Sequence, residues 1–389
     1  MDTLPHSHEP YTDKYFLRTN EILQEETINP DVSIKVFARG EGPIAGIDEV
    51  TDVIETYGDT EEIDVWATEQ DEFETKDPLL IMDGPIQELV ELETMYLGVL
   101  SHQLTEAHPD HSPPDPAQFQ ENVEEAVSIY DEVDVPLLYF GARHYHPLQD
   151  KELAGAALDG GAVQTSTDIG SSNINEDGVG TTPHILTLTL ASEYGKENAT
   201  VRTADLFDQY MDEAIPRTTL IDTFNQEIDD ALAVCELFED RYGDDWTHKF
   251  RVDTCGENVM QDGDPYDPEA GPYETGTGVR INGVKELRDT LIEEGYGENT
   301  EIILSSGFGD PEKARAFVEA HKEYVEESEQ RFGESYGLFH GIGAGSFADG
   351  IHATADMYEA DGEPMYKTGR DVDLESIEQY KTDHMEQVI

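Results

Sequence analysis

LLYFGARHYHP at residues 137–147 and KFRVDTCGEN at 249–258 are apolar runs that break into polar loops, and each carries one arginine, Arg143 and Arg251. Both read as β-strands running into loops, the place where α/β folds carry their chemistry. The arginines stand out because cations are scarce: 23 lysines and arginines face 87 acidic residues, for a formal net charge of −64. A guanidinium kept on a buried-looking strand in such a chain is expected to hold a dedicated anion.

Outward from these runs, strand-like and helix-like segments alternate. Strand patterns fall at 137–140, 161–166, 218–223, 250–254, 300–305 and 336–341, and helical periodicity falls at 118–132, 150–158, 203–215, 226–242, 284–295 and 311–330. The alternation predicts βα units around a parallel sheet, and functional-looking residues at most strand ends favour a barrel over an open sheet. Before residue 115 the pattern is different, with β-like runs at 33–39, 62–69 and 78–84 and a helical stretch at 86–104. HPDHSPPDP at 108–116 is a proline-rich boundary. Beyond 346 an alternating pattern returns, with a turn at Asp361 and Gly362, so the tail is expected to rejoin the first domain. The expected division is a first domain over 1–115 with 347–389 packed on it, and a barrel over 116–346.

The acidic residues are spread from end to end among periodic apolar ones, which predicts a folded protein with an acidic surface suited to a salt-rich cytoplasm. Such a field excludes nucleic acid and anionic membranes as partners. No apolar run approaches about 18 residues and no signal peptide stands at the N-terminus, so a soluble, cytoplasmic protein is expected. Cys235 and Cys255 offer neither a disulfide framework nor zinc-ligand spacing, and no resident metal is expected.

The strand ends form one candidate rim: Arg143, His144 and His146, then Thr165, Ser166 and Asp168, then Asp222, then Arg251 and Asp253, then Ser305, Ser306 and Gly307, then GIGAG at 341–345. Guanidinium forks bind phosphate oxygens, glycines let backbone N–H groups approach them, and carboxylates hold ribose hydroxyls or magnesium, so the rim suits a phosphorylated sugar. Plainer readings stay open residue by residue. GIGAG could be a tight turn, Asp222 a helix N-cap, Arg251 and Asp253 a strand pair, and Cys255 a small buried residue. In GVGTTPHILTLTLASEYG (178–195), threonines and a proline precede an apolar helical run, which places His184 in the first turn of a helix, where an anion is attracted.

YTDKYFLRT (11–19), FGARHYHP (140–147), GSSN (170–173), GTTPH (180–184), TLIDTFNQE (219–227), FRVDT (250–254), ILSSG (303–307) and GIGAG (341–345) occur in the order seen in one family. On these motifs the chain resembles the nicotinate phosphoribosyltransferases, which are type II phosphoribosyltransferases, in their archaeal, halophilic branch. The resemblance implies an irregular α/β barrel with an N-terminal α/β sandwich, and a homodimer, or a larger assembly, with shared active sites. It implies transfer of phosphoribosyl from phosphoribosyl pyrophosphate to nicotinate, with Mg2+ and with ATP as co-substrate. By resemblance, Arg143 and Arg251 hold pyrophosphate and phosphate, Asp222 and Asp253 hold ribose or magnesium, and Gly307 with Gly343, Ala344 and Gly345 cradles the ribose phosphate. Phe140 and, from the other subunit, Tyr15 sandwich the pyridine ring. His184 stands where ATP phosphorylates a histidine, and Ser172 of GSSN selects nicotinate over nicotinamide. One departure is His144, where bacterial and eukaryotic members carry a second arginine.

A rival reading takes His144 and His146 as an HxH metal pair of a barrel hydrolase, completed by His184, His340 and Asp222. Arg143 beside that pair would repel a dication. A non-catalytic nucleotide sensor on the same barrel is the third reading.

Overall fold

The computed structural model describes residues 4–389. It begins with α1 (Lys14–Glu26), β1 (Asp31–Ala38), β2 (Gly42–Pro43), α2 (Ile47–Tyr57), β3 (Asp64–Thr68), β4 (Glu72–Phe73), β5 (Pro78–Pro85), α3 (Ile86–Leu89) and α4 (Glu93–Ala107). Helices α1 and α2 are not evident from sequence pattern. IDEVTDVIETY of α2 is rich in β-branched residues with a local preference for strand, and burial of Val50, Val53 and Ile54 on one helical face overrides it.

The first sheet is antiparallel, in the order β13-β12-β1-β5-β3-β14. Its strands β12 (Ala353–Ala360), β13 (Glu363–Pro364) and β14 (Met385–Gln387) come from the C-terminal tail. Strand β12 lies on β1 with Ile34 opposite Met357 and Val36 opposite Ala355. Helix α4 is buried along most of its length because it packs against both β12 and the turn at Ala142–His144.

The second sheet is parallel. Its strands are β6 (Leu137–Tyr139), β7 (Gln164–Thr165), β8 (Thr218–Leu220), β9 (His248–Val252), β10 (Thr300–Leu304) and β11 (Gly341–Ala344), in the order β7-β6-β11-β10-β9-β8. It curls as an irregular barrel, but β7 and β8 are edges that do not pair. A non-strand segment bridges them: Val179 N–H donates to the Thr165 carbonyl (2.9 Å), and Leu220 N–H donates to Thr182 Oγ1 (3.0 Å). Around the strands come α5 (Pro116–Tyr130), α6 (Pro147–Asp159), α7 (Asp168–Ser171), α8 (His184–Tyr194), α9 (Lys196–Tyr210), α10 (Glu227–Tyr242), α11 (Ile281–Glu293) and α12 (Pro311–Phe332); α13 (Leu374–His384) precedes β14. Helices α8 and α9 lie between two barrel strands in sequence, yet Leu186, Leu190, Leu206 and Phe207 pack into the core of the first sheet with Ile22 and Leu97.

The strand expected at 336–341 is a correction. Residues 338–339 are buried loop, and the strand is Gly341–Ala344, inside the segment expected to be a glycine loop. Its small residues have a packing cause, because a Cβ on Gly343 would lie 2.9 Å from the Phe140 ring and one on Gly345 would lie 2.4 Å from the Phe140 carbonyl oxygen. Low strand propensity is here the signature of close backbone approach. No helix among the described residues is long and apolar enough to cross a membrane.

Candidate active site

A cavity of about 840 Å³ lies between the C-terminal ends of β6, β9, β10 and β11 and the face of β1 and β12. Arg143 reaches it from the turn after β6, and Arg251 from β9 itself. The Arg143 guanidinium makes no hydrogen bond among the described residues, and its nearest acid, Glu93, is 4.0 Å away. Arg251 donates from Nη1 to Thr181 Oγ1 (2.6 Å), and its buried Nε has no partner. By contrast, Arg202, Arg217 and Arg241 are each held by aspartates. A buried donor left unpaired, as Arg251 Nε is, costs about 1–3 kcal/mol, and the Arg143 guanidinium, about a third exposed on the same cavity, has its donors free, so the two together mark an anion site. Arg251 does not pair with Asp253.

Beside Arg251, at the end of the same strand, lies a cluster centred on a residue that local pattern does not reveal. Lys367, on the tail after β13, donates to Asp222 Oδ2 (2.5 Å), the Asp253 carbonyl (2.9 Å) and His184 Nε2 (2.9 Å). An ammonium has only donors, so His184 Nε2 accepts. The other ring nitrogen, Nδ1, therefore carries the proton and donates to Thr223 Oγ1 (3.1 Å). Burial and then the Lys367 charge push the His184 pKa down, which keeps the ring neutral. Burial opposes ionisation of Asp253, but the positive charges of Lys367 and Arg251 outweigh it and hold its carboxyl well below the usual range. Asp222 Oδ1 accepts from Asp253 N–H (3.1 Å). Asp222 is therefore no N-cap, and it is sealed behind Lys367 instead of facing the cavity. KTGR, two cations within four residues of an acidic chain, is the one signal in the tail that could have pointed here.

Phe140 and Tyr15 both line the cavity. Tyr15 is expected from another subunit, yet it reaches the cavity of its own chain because α1 is tied to the barrel rim: Lys14 N–H donates to the Ser166 carbonyl (2.9 Å) and Lys14 Nζ to Asp168 Oδ2 (2.7 Å). Gly307, at φ +82° with open space at its Cβ position, is required by backbone conformation and lines the cavity beside Ser305 and Ser306. Gly343, Ala344 and Gly345 line it as the end of a strand.

Ser172 is not brought in. It is exposed in the turn Ser172–Ile174, where its hydroxyl donates to the Ile169 carbonyl (2.6 Å), while Ser171 is the buried member of GSSN and bonds Thr165 Oγ1 (2.8 Å). Ser172→Asp is therefore expected to leave any base preference unchanged, in contrast to the role the motif implies. Steady-state constants for nicotinate and nicotinamide check this, and a rise in the nicotinate KM of tenfold or more would return Ser172 to the site.

The hydrolase ligand set does not converge. His144 stacks on His352 with centroids 4.5 Å apart. His146 caps α6, accepting from Leu148 N–H at 3.2 Å, and contacts Glu49 at 3.0 Å. His340 accepts from Ile302 N–H at 3.0 Å, ahead of β11. Sequence reading also missed Arg39 and Arg370, which line the cavity and, with Lys76, surround Glu257 at 3.1, 3.6 and 2.7 Å respectively.

Residues 13–103 match the family model of the quinolinate phosphoribosyl transferase N-terminal domain. Over nearly the full chain, the structure is similar to three solved structures. Nicotinate phosphoribosyltransferase from Porphyromonas gingivalis aligns at TM-score 0.64 and 16% identity, over 96% of this chain and 98% of that one. The enzyme of the same name from Vibrio cholerae aligns at 0.66 and 11%, over 97% of each. A Saccharomyces cerevisiae protein assigned the same activity aligns at 0.67 and 15%, over 98% of this chain and 99% of that one. The fold is that of the nicotinate phosphoribosyltransferases. No curated protein sequence matches the chain.

Proposed function

We propose that this chain transfers the phosphoribosyl group of phosphoribosyl pyrophosphate to nicotinate, forming nicotinate mononucleotide and pyrophosphate in NAD biosynthesis. The observation that carries this reading is the pair Arg143 and Arg251, two guanidiniums with free donors on one wall of a cavity in a chain of net charge −64. Both substrates are anions, and the aromatic pair Tyr15 and Phe140 on the same cavity suits a flat pyridine ring. As pyrophosphate leaves, the ribose carbon becomes oxocarbenium-like. The arginines would then neutralise the leaving group, and Asp253, kept ionised, would face the positive ribose.

A magnesium ion fits this wall only as part of the substrate. Asp222 is engaged by Lys367, which leaves Asp253 as the one carboxylate of the pair on the cavity, and magnesium commonly takes one or two carboxylates plus phosphate oxygens. ATP coupling belongs to the same proposal, with His184 as the phosphoryl acceptor: its Nε2 lone pair is free of a proton and faces Lys367, which would balance a phosphoryl group there. The dense surface charge supports a salt-rich cytoplasm as the setting. A homodimer is part of the reading, although the aromatic pair is complete within one chain.

The test is an assay at about 2 M KCl, chosen to screen the surface charge, with nicotinate, nicotinamide and quinolinate offered separately. Mononucleotide formed from nicotinate is expected, and formation from none of the three rejects the proposal. Arg251→Ala should then lower kcat/KM for phosphoribosyl pyrophosphate by about ten- to a hundredfold, the scale of a lost charge-assisted contact of about 1.5–3 kcal/mol. Lysine at 251 should rescue little because it lacks the fork. Unchanged constants in a folded Arg251→Ala protein would reduce Arg251 to a strut for Thr181.

A further inference from the structure

Glu93, the first residue of α4, lies on the cavity wall with only 7% of its surface exposed. Its carboxyl group makes no hydrogen bond among the described residues, and its one cation within 4.0 Å is Arg143. A second buried acid, Asp13, lies close to the same guanidinium. Asp13 is better supported, since its Oδ2 accepts from Tyr15 OH (3.1 Å) and Thr94 Oγ1 (2.9 Å). The groups facing Glu93 are Arg143 after β6, Asp13 and Tyr15 at the start of α1, Asp356 on β12 and Tyr96 on its own helix. Arg143 is the only cation among them.

With Glu93 and Asp13 ionised, a substrate anion on Arg143 would make three negative charges around one guanidinium, two of them on buried side chains, and like charges that close cannot all stay ionised. The group that yields is the one without hydrogen bonds to its charged form. We propose that Glu93 is an acid set against Arg143 that must be neutral when an anion is held there, so that binding at this end of the cavity takes up one proton wherever Glu93 is ionised beforehand. This assigns Glu93 as a positioning residue for Arg143, and it rests on the reading of Arg143 as a substrate-anion site. Burial raises the Glu93 pKa to about 8 even with Arg143 alongside. Anion binding cancels the one cation that holds it down, so its pKa rises further. The consequence for binding has a definite sign. Below about pH 8 the acid is already neutral and binding is independent of pH, whereas above it each bound anion brings a proton and affinity falls as pH rises.

The experiment is calorimetric titration of the intact protein with sulfate, a dianion that does not titrate in this range, at about pH 6.5 and about pH 9, in two buffers of different ionisation enthalpy. For the unmodified protein the expected result is uptake approaching one proton per sulfate at the higher pH and none at the lower, with affinity falling up to about tenfold per pH unit above 8. Glu93→Gln, nearly isosteric, should bind sulfate at both pH values without proton uptake and without the pH slope. If Glu93→Gln does not fold, Glu93→Asp, which keeps a carboxyl but draws it back from Arg143, should shift the pH at which uptake begins, and an unshifted onset overturns the proposal. No uptake at the higher pH, or the same slope in Glu93→Gln, overturns the proposal. Sulfate binding with this slope in a protein that makes no mononucleotide would reject the transferase reading and leave Glu93 in its role. Nicotinate turnover with pH-independent sulfate binding would do the reverse.

Discussion

Lys367→Met is expected to destabilise the protein by about 3–5 kcal/mol, the cost of removing one partner of a buried ion pair. Asp222, with a fully buried side chain, would lose its 2.5 Å partner and keep only the Asp253 N–H and, at 3.6 Å, His184. The loss should depend on pH. Without the ammonium, the charge left beside His184 Nε2 is carboxylate, from Asp222 and from Asp253 at 3.8 Å; burial still opposes ionisation of the ring, but its folded-state pKa should lie higher than in the unmodified protein. A folded-state pKa held below the unfolded value of about 6.5 costs stability as pH falls, and that cost shrinks as the folded pKa rises. The loss relative to the unmodified protein should therefore be smaller at about pH 6 than at about pH 8. Urea denaturation at fixed KCl measures this, and the double change Lys367→Met with Asp222→Asn should restore most of the loss because it removes the orphaned charge. An unaltered midpoint at pH 8 would mean that the ammonium only fills space.

His184→Ala is expected to abolish ATP hydrolysis stimulated by the other substrates, by on the order of a thousandfold or more, while slow ATP-independent transfer persists, as loss of a nucleophile requires. The side chain is well placed for that difference. It stands at the first position of α8, its Nδ1 proton is committed to Thr223, and its Nε2 lone pair meets only Lys367 and two carboxylates. Parallel assays of ADP release and mononucleotide formation separate the two activities. Equal loss of both in a well-folded protein would assign His184 to the scaffold, as a strut between Thr223 and Lys367.

Much of this site is legible along the chain. Arg143 and Arg251 can be picked out because cations are rare and each follows or ends an apolar run, and both reach the cavity. His184 is readable from GTTPH, since threonine and proline before an apolar run mark a helix start, and the helix begins at that residue. GIGAG is the instructive failure. Glycine content reads as a loop from sequence, whereas the cause is the Phe140 ring and carbonyl pressing on β11, a contact between strands two hundred residues apart in the chain. Ser172 lies outside the cavity lining: its turn leaves it exposed and faces its neighbour Ser171 inward onto Thr165, and motif order alone carries no information on that rotation.

Composition and spacing alone carry the acidic surface, the alternation of strand and helix, the return of the tail to the first sheet, and the arginines and histidine at the strand and helix ends. These are properties of spacing and composition, and they act over one element or less. Which residues surround those groups is set by long-range packing. Lys367 meets Asp222 across 145 positions, Glu93 reaches Arg143 from another helix, and α8 leaves its neighbouring barrel strands to complete the first core. Such pairings leave no local periodicity, because a buried charge is compensated by whatever the fold brings within a few ångströms of it, and that distance is set by packing and not by position in the chain.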